Sequence, residues 1–275
     1  MIMIVKANGK REAFNPSKVR QSLRRSGASK QTAEMIANQV KKEIKNNQST
    51  SEIYKKAFRL LKKNSDSTLA VRYSLKKAIR ELGPTGYPFE HLIARLFEVQ
   101  GYKVEVGKIF NGICVRHEVD VVAKKGSEKV LAEAKFRNRP GDSVPVGVPL
   151  YMRSRFEDIL AKKNKNKVKD FRCMVFTNAR FSKDAIRYAR CSGSMELVGW
   201  RYPNNNGLEK IVERSGLHPI TVLNTLSKGE KKKLLKNGVV VCQDINQNPS
   251  KLSEIGLPKN KITKIIEQSK RLCNL

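Results

Sequence analysis

Acidic residues are the scarce class in this chain: 25 Asp and Glu stand against 56 Lys and Arg among 275 residues, a formal charge of +31. That excludes the near-neutral surface of most soluble enzymes and calls for an anionic partner. Cysteine gives no framework, because Cys114, Cys173, Cys191, Cys242 and Cys273 are scattered, odd in number and without a CxxC pair. Neither a disulfide scaffold nor a zinc ribbon fits that spacing, which leaves reduced, ordinary thiols. No apolar run approaches the ~18 residues of a membrane span, and the N-terminal MIMIVKANGK is too short for the apolar region of a signal peptide. A cytoplasmic protein with no membrane partner is expected. The lone Trp200, with Phe176 and Tyr188, reads as core rather than as base-stacking surface.

What is present is positive charge along the whole chain. Residues 1–83 carry 20 basic and 6 acidic side chains, residues 84–203 carry 23 and 13, and residues 204–275 carry 13 and 6. A polyanion touching several domains explains this, and nucleic acid is the leading partner. The plainer alternative is a generally basic or halotolerant surface. The length suits two or three domains, each able to bury a core.

The most informative stretch is RHEVDVVAKKGSEKVLAEAKF, residues 116–136. Apolar runs Val119 to Ala123 and Val130 to Phe136 flank a turn-forming segment, the pattern of a β-hairpin. Folded about Gly126 and Ser127, the hairpin sets Asp120 opposite Glu133, and side-chain alternation brings Asp120, Glu133 and Lys135 out on one face. A core hairpin does not require two carboxylates and an ammonium there, whereas a metal-dependent hydrolytic site does. The alternative is that the three merely solvate a sheet face. His117, three residues before Asp120, points to the opposite face, and Glu118 shares the face of Asp120.

In chain order, residues 2–5 and 10–14 read as short strands around the Asn8–Gly9 turn. Asn15 caps a helix with Pro16 in its first turn. Helices are expected over 18–26, 32–46, 51–63 (with Ser51 as cap) and 67–82, the last ending at Gly83–Pro84. The runs VKANGKREAFNPSKV (5–19), STSEIYKKAF (49–58) and AVRYSLKKA (70–78) resemble the ATP-cone, the nucleotide-sensing module of ribonucleotide reductases and their regulators. The resemblance implies binding of ATP or dATP by Lys6, Glu12, Phe14, Asn15, Lys18, Val19, Thr50, Tyr54, Tyr73 and Lys77. Ala7 stands where the family usually has a second basic residue, and Tyr54 replaces a frequent histidine. Independently of the family, Lys6, Lys18 and Lys77 can neutralise phosphates beside a helix N-terminus. The same lysines would equally serve nucleic-acid backbone.

Beyond the linker Gly83–Gly86, Phe89 to Val99 carries a helix-period apolar stripe with Glu90 beside it. A strand over 103–110 follows, then Asn111–Gly112, the strongest short hairpin signal of the chain. Residues 137–149 are Pro- and Gly-rich and irregular. Leu150 to Ala161 is an amphipathic helix trailing into the basic loop KKNKNKVKD. Strand 171–176, a helix over 183–190 capped by Ser182, and strand 196–200 complete an αβββαβαβ order, a mixed α/β sheet. HEVD (117–120), EAK (133–135), FE (89–90), GY (101–102) and FTNARFSKDAIRYA (176–189) resemble the Mrr-like branch of the PD-(D/E)XK nucleases. The resemblance implies catalytic roles for Asp120, Glu133, Lys135 and Glu90, with Mg²⁺ or Mn²⁺ held by Asp120, Glu133 and the Ala134 carbonyl. Arg137, Arg139, Arg153 and Arg155 are candidate phosphate contacts, each with a plain solvated cation as its alternative.

The remainder reads as short helices, at 208–214, 217–226 and 228–236, before an apolar VVVC. KLSEIGLPKNKITKIIEQSKRL (251–272) resembles a helix-hairpin-helix, a backbone-phosphate grip, with 234–246 as a weaker pseudo-repeat. A small helical oligomerisation domain is the alternative. The expected organisation is thus an ATP-cone at 1–83, a nuclease domain at 84–203 and an all-α DNA-binding region at 204–275. The expected activity is Mg²⁺-dependent DNA endonuclease action under nucleotide control, in restriction or in repair and recombination, with a homodimer left open. A non-catalytic, ATP-responsive DNA-binding regulator is the rival. Such regulators carry a zinc ribbon, which the cysteine spacing denies.

Overall fold

The computed structural model describes residues 2–6, 8–64, 67–162 and 171–273. Ala7 and most of the basic loop KKNKNKVKD, residues 163–170, lie outside them. The chain divides into two compact units, residues 1–77 and 78–274.

In the first unit, β1 (Met3–Val5) pairs antiparallel with β2 (Arg11–Ala13). Four helices follow: α1 (Pro16–Arg25), α2 (Lys30–Glu43), α3 (Thr50–Asn64) and α4 (Ser67–Arg80). Asn15 caps α1, its Oδ1 accepting from the Ser17 amide at 2.9 Å, with Pro16 at the first helical position where no amide is needed. The four-helix expectation misses β3 (Gln48–Ser49), which lies parallel to β1 and makes the sheet three-stranded. The cap of α3 is also not Ser51. Ser49 Oγ accepts from the Glu52 amide and the Glu52 carboxylate accepts from the Ser49 amide, a reciprocal box that puts the cap two residues earlier. Val19, Leu23, Ile36, Val40, Ile53 and Leu61 project from α1, α2 and α3 into one core with Ile4.

The second unit opens with α5 (Tyr87–Glu98), whose stripe of Phe89, Leu92, Ile93 and Leu96 is fully buried. It packs on a sheet ordered β10-β8-β6-β5-β4. Strands β4 (Lys103–Asn111), β5 (Arg116–Lys125) and β6 (Glu128–Ala134) run antiparallel in succession. After β7 (Ser143–Val144) and α6 (Gly147–Ala161), β8 (Phe171–Phe176) joins parallel to β6. Then come β9 (Arg180–Phe181), which pairs with β7, α7 (Lys183–Ser192), and β10 (Glu196–Val198), parallel to β8. The expected αβββαβαβ order is present, with the small β7–β9 pair added. Residues Met152, Phe156 and Ile159 of α6 and Ala185 and Ala189 of α7 bury Leu131, Cys173, Val175 and Leu197 of the sheet.

The Asn111–Gly112 signal does not make a two-residue turn, since Asn111 pairs with Arg116 across a four-residue loop. Gly112 is required by crowding: a Cβ there would stand 1.9 Å from Asp158 Oδ2. Asp158 instead binds the loop, accepting from the Cys114 amide at 2.8 Å. The hairpin over 126–127 does turn in two residues, Lys125 pairing with Glu128, and Gly126 at φ +58° supplies the left-handed position.

The rest of this unit comprises α8 (Leu208–Ser215), α9 (Lys228–Lys236), α10 (Cys242–Gln247), α11 (Ser250–Glu254) and α12 (Lys259–Cys273). The helix expected over 217–226 is a single 3₁₀ turn, Ile220–Val222, directly after Pro219. Both later hairpins turn at a left-handed glycine, Gly238 and Gly256, and close alike: the Val239 amide donates to Leu234 O and the Leu257 amide to Leu252 O. Among the described residues no helix is long and apolar enough to cross a membrane.

Candidate active site and nucleotide site

The hairpin register is the one its turn dictates, from Lys125↔Glu128 to Val121↔Ala132. At the next step the ladder stops. Asp120 takes the Ala134 amide with its own side chain, Oδ2 at 2.7 Å. On the other side the β4–β5 pairing steps from Val106↔Val121 to Lys108↔Val119, passing over Gly107 and Asp120, and Gly107 has φ +65°. Val119 and Val122 both reach the α6–α7 core, which strict alternation forbids. The break at Asp120 is what re-aims its carboxylate, a common role of strand irregularities beside sites.

Four acidic side chains act on one another here. Glu90, in the first turn of α5, is pushed up to about 7, first by burial and then by Asp120, Glu118 and Glu133. Burial and Glu133 likewise push Asp120 up to about 6. Glu133 is 2 % exposed and bonded on both oxygens, Oε1 to the Lys135 ammonium and Oε2 to Arg155 Nη1 at 3.1 Å. Acids whose charge pushes Glu90 and Asp120 up in this way form a set that a cation would relieve.

Backbone bonds fix the segment carrying Lys135. The Lys135 amide donates to Phe176 O at 2.8 Å, and the buried Thr177 hydroxyl donates to Lys135 O at 2.7 Å. Asn178 accepts from the Arg137 amide at 2.7 Å and donates to Arg137 O at 2.9 Å. In the sequence Thr177 and Asn178 mark only a strand end. Their signal is two polar residues directly after a buried apolar strand, where satisfied hydrogen bonds are obligatory.

His117 is spent on Asp158 of α6, at 2.6 Å. Arg153 lies on Glu157 at 2.6 Å. Arg155, 12 % exposed in its side chain, is held on Glu133 and on Glu118 O rather than standing free for phosphate. Among the described residues the side chains of Arg137 and Arg139 make no hydrogen bond or ion pair. A cavity of about 770 Å³ lined by Leu96, Phe97, Met174, Leu197, Arg190 and Arg214 lies in this unit but contains none of the four acids.

Among the described residues no three His, Cys, Asp or Glu side chains form a set able to hold a metal ion. The donors here fit Mg²⁺ in another way. That ion takes one or two carboxylates and keeps several waters, and Asp120, Glu133 and the Ala134 carbonyl are all hard oxygen donors.

In the first unit two of the predicted nucleotide residues, Lys6 and Lys18, meet a third, Glu12. Lys6 and Lys18 both pair with it at 2.9 Å, and together they hold its carboxyl below the usual range. Tyr54 and Tyr73 stack with centroids 5.1 Å apart, and burial pushes the Tyr73 hydroxyl up to about 12. Phe14 and Val19 belong to the adjoining core, Asn15 is spent on the α1 cap, and Thr50 begins α3. Lys77 is exposed on α4.

Residues 2–82 match the ATP cone domain, 83–200 the restriction endonuclease family and 218–273 the AF1548-like C-terminal domain. An uncharacterized protein of Archaeoglobus fulgidus is 36 % identical over 183 residues, 66 % of this chain and 99 % of the relative. The crystal structure of AF1548, a protein of unknown function, is 34 % identical and superposes with a TM-score of 0.56 over 69 % of this chain and 99 % of its own. The MspJI restriction endonuclease, solved with a 27-mer oligonucleotide, is 17 % identical over 72 % of this chain and 41 % of its own, with a TM-score of 0.35, too low for inference. On these matches the chain belongs to the AF1548-like family, as an ATP cone and a restriction endonuclease domain followed by the AF1548-like C-terminal domain.

Proposed function

We propose that this chain is a divalent-metal-dependent DNA endonuclease whose activity is set by ATP or dATP. The observation that carries the reading is the convergence of Glu90, Asp120 and Glu133 beside Lys135 at the end of a kinked hairpin, where burial and the neighbouring acids push Glu90 and Asp120 up. The proposed division is 1–83 for the nucleotide switch, 84–203 for the nuclease and 204–275 for a phosphate-gripping region. Asp120, Glu133 and the Ala134 carbonyl would hold Mg²⁺ or Mn²⁺, with Glu90 reaching it through water. Bound there, the ion supplies charge neutralisation at the scissile phosphate and a water of lowered pKa.

The chain's own residues do the rest. Lys135 Nζ orients the attacking water and steadies the developing negative charge, its backbone held by Phe176 and Thr177. Arg137 and Arg139, just beyond, meet the flanking phosphates. In the C-terminal region the hairpin at Gly256 is the proposed phosphate grip, and at the Gly238 hairpin the amides of Val240 and Val241 are taken by Asp244 at 2.9 and 3.0 Å. Lys6, Lys18 and Lys77 bind the nucleotide phosphates. All five cysteines are free, which supports a reducing, cytoplasmic setting.

The test is incubation of the full chain with plasmid, branched and single-stranded DNA, with and without Mg²⁺ and ATP. Metal-dependent cleavage is expected, lost in Asp120→Ala, Glu133→Ala and Lys135→Ala while DNA binding persists. Cleavage unchanged in all three variants overturns the assignment, and the spread over the three substrates separates a restriction from a repair role.

A further inference from the structure

Resting on that nuclease reading, we propose that Arg155 is a positioning residue for Glu133, fixing its carboxylate for metal rather than gripping DNA. Glu133 sits at the end of β6, 2 % exposed, where a carboxylate without partners would carry a large desolvation cost. Lys135 is two residues along on the same chain segment and reaches only Oε1. The second oxygen, Oε2, is held from a different element, by Nη1 of Arg155 on α6 at 3.1 Å. The other guanidinium nitrogen, Nη2, donates to the Glu118 carbonyl on β5.

One planar guanidinium therefore ties three elements together: α6, the Glu118 backbone two residues before Asp120, and the Glu133 carboxylate. Its own rotamer is constrained, because Nη1 also lies 3.6 Å from Met152 Sδ, in the α6 core, and the guanidinium carbon stands 5.6 Å from the Tyr151 ring centroid. With one oxygen on Lys135 and the other on Arg155, the Glu133 carboxylate cannot rotate about its last torsion. A lysine at 155 is a point charge on a flexible stem and cannot hold both anchors in a fixed fork. The arginine thus does for Glu133 what the Ala134 amide does for Asp120: it sets where the metal-facing oxygen points. Partners that orient a metal ligand typically account for about 10–100-fold in metal affinity or activity.

The test uses the full chain and Mn²⁺, whose free concentration is read directly by electron paramagnetic resonance in the absence of DNA. Arg155→Met is expected to weaken Mn²⁺ binding about 10-fold or more and to raise the metal concentration for half-maximal cleavage by the same factor. Its DNA affinity in EDTA should stay within about two-fold of wild type, since the residue acts through Glu133 and not on phosphate. Arg155→Lys, which keeps the charge if the methionine variant folds poorly, should recover only part of the metal affinity. Wild-type Mn²⁺ affinity in both variants, or a 10-fold loss of DNA affinity in EDTA, overturns the inference alone. A wild-type chain that neither binds Mn²⁺ nor cuts DNA overturns the nuclease reading and this inference with it.

Discussion

Glu12 and Glu90 are the same residue type, each beside lysine and each in a site proposed to meet phosphate, and they are tuned in opposite directions. Glu12 lies in the open, between Lys6 and Lys18, and is held below the usual carboxylate range by those two bonds. Glu90 is half-buried among Asp120, Glu118 and Glu133 and rises to about 7. The first arrangement has two ammonium groups to one carboxylate, a net positive charge that can exchange that carboxylate for an anionic ligand at small cost. The second has acidic charge in excess of what Lys135 and Arg155 offset, and the missing counter-charge is a cation. The proposed nucleotide site and the proposed metal site thus differ in local charge balance.

The largest expected effect separates the two sites outright. Asp120→Asn keeps the shape and removes the charge, and cleavage should fall on the order of 10³-fold, the scale of losing a centre that stabilises transition-state charge. Glu12→Gln should leave cleavage without nucleotide unchanged and alter only its response to ATP. A gel assay of both variants, with and without ATP, decides this, and equal losses would merge the two sites into one.

The second effect concerns support of the site. Asn178→Ala removes both side-chain bonds to the Arg137 backbone and frees the segment that carries Lys135. Cleavage is expected to fall about 10–100-fold, in the manner of residues that orient a ligand rather than touch substrate. The measurement is kcat against KM for DNA: the loss should lie in kcat, and a change confined to KM would make Asn178 a DNA contact.

How much of this was legible follows from range. The register came from two turn residues, Gly126 and Ser127, and the caps Asn15 and Ser182 from side-chain chemistry within three residues. All are local, and all appear as expected. What failed was non-local. The break of alternation at Asp120 depends on Gly107 of the neighbouring strand, and the need for glycine at 112 on Asp158, 46 residues later. The bond of Arg155 to Glu133 was not legible, because the two are 22 residues apart on different elements. Strand β3, two residues long, is made by its parallel pairing with β1 and has no period of its own.

A third expectation concerns pH in metal-free protein. Glu90 and Asp120 have folded pKa values, about 7 and about 6, above the ordinary 4.5 and 3.8. The folded state therefore holds protons that the unfolded chain has lost. Their contribution to stability is fully present below the unfolded values and disappears as pH rises through about 6 and 7. In EDTA, Tm should fall between about pH 5 and pH 8, and Glu90→Gln should flatten that slope. Mg²⁺ should flatten it as well, by stabilising the charged forms. Calorimetry on wild type and variant checks this, and parallel slopes would show that Glu90 lies outside the acidic group.

The smallest effect belongs to the exposed site. Lys18→Ala removes one of two exposed pairs to Glu12, each of the class that contributes about 0.2–1 kcal/mol. ATP affinity, measured by calorimetry at low salt, should fall no more than several-fold, and most of the difference should vanish near 1 M salt, where screening reaches about 3 Å. Glu133 is buried and Asp120 partly so, and screening acts on them less, so metal affinity should keep most of its strength over the same salt range. If salt instead weakens metal and nucleotide binding alike, the acidic group is more open to solvent than the burial of Glu133 implies. Salt dependence then reads the same distinction as the shifts of Glu12 and Glu90: an exposed, net-positive cluster set against a more buried, net-acidic group.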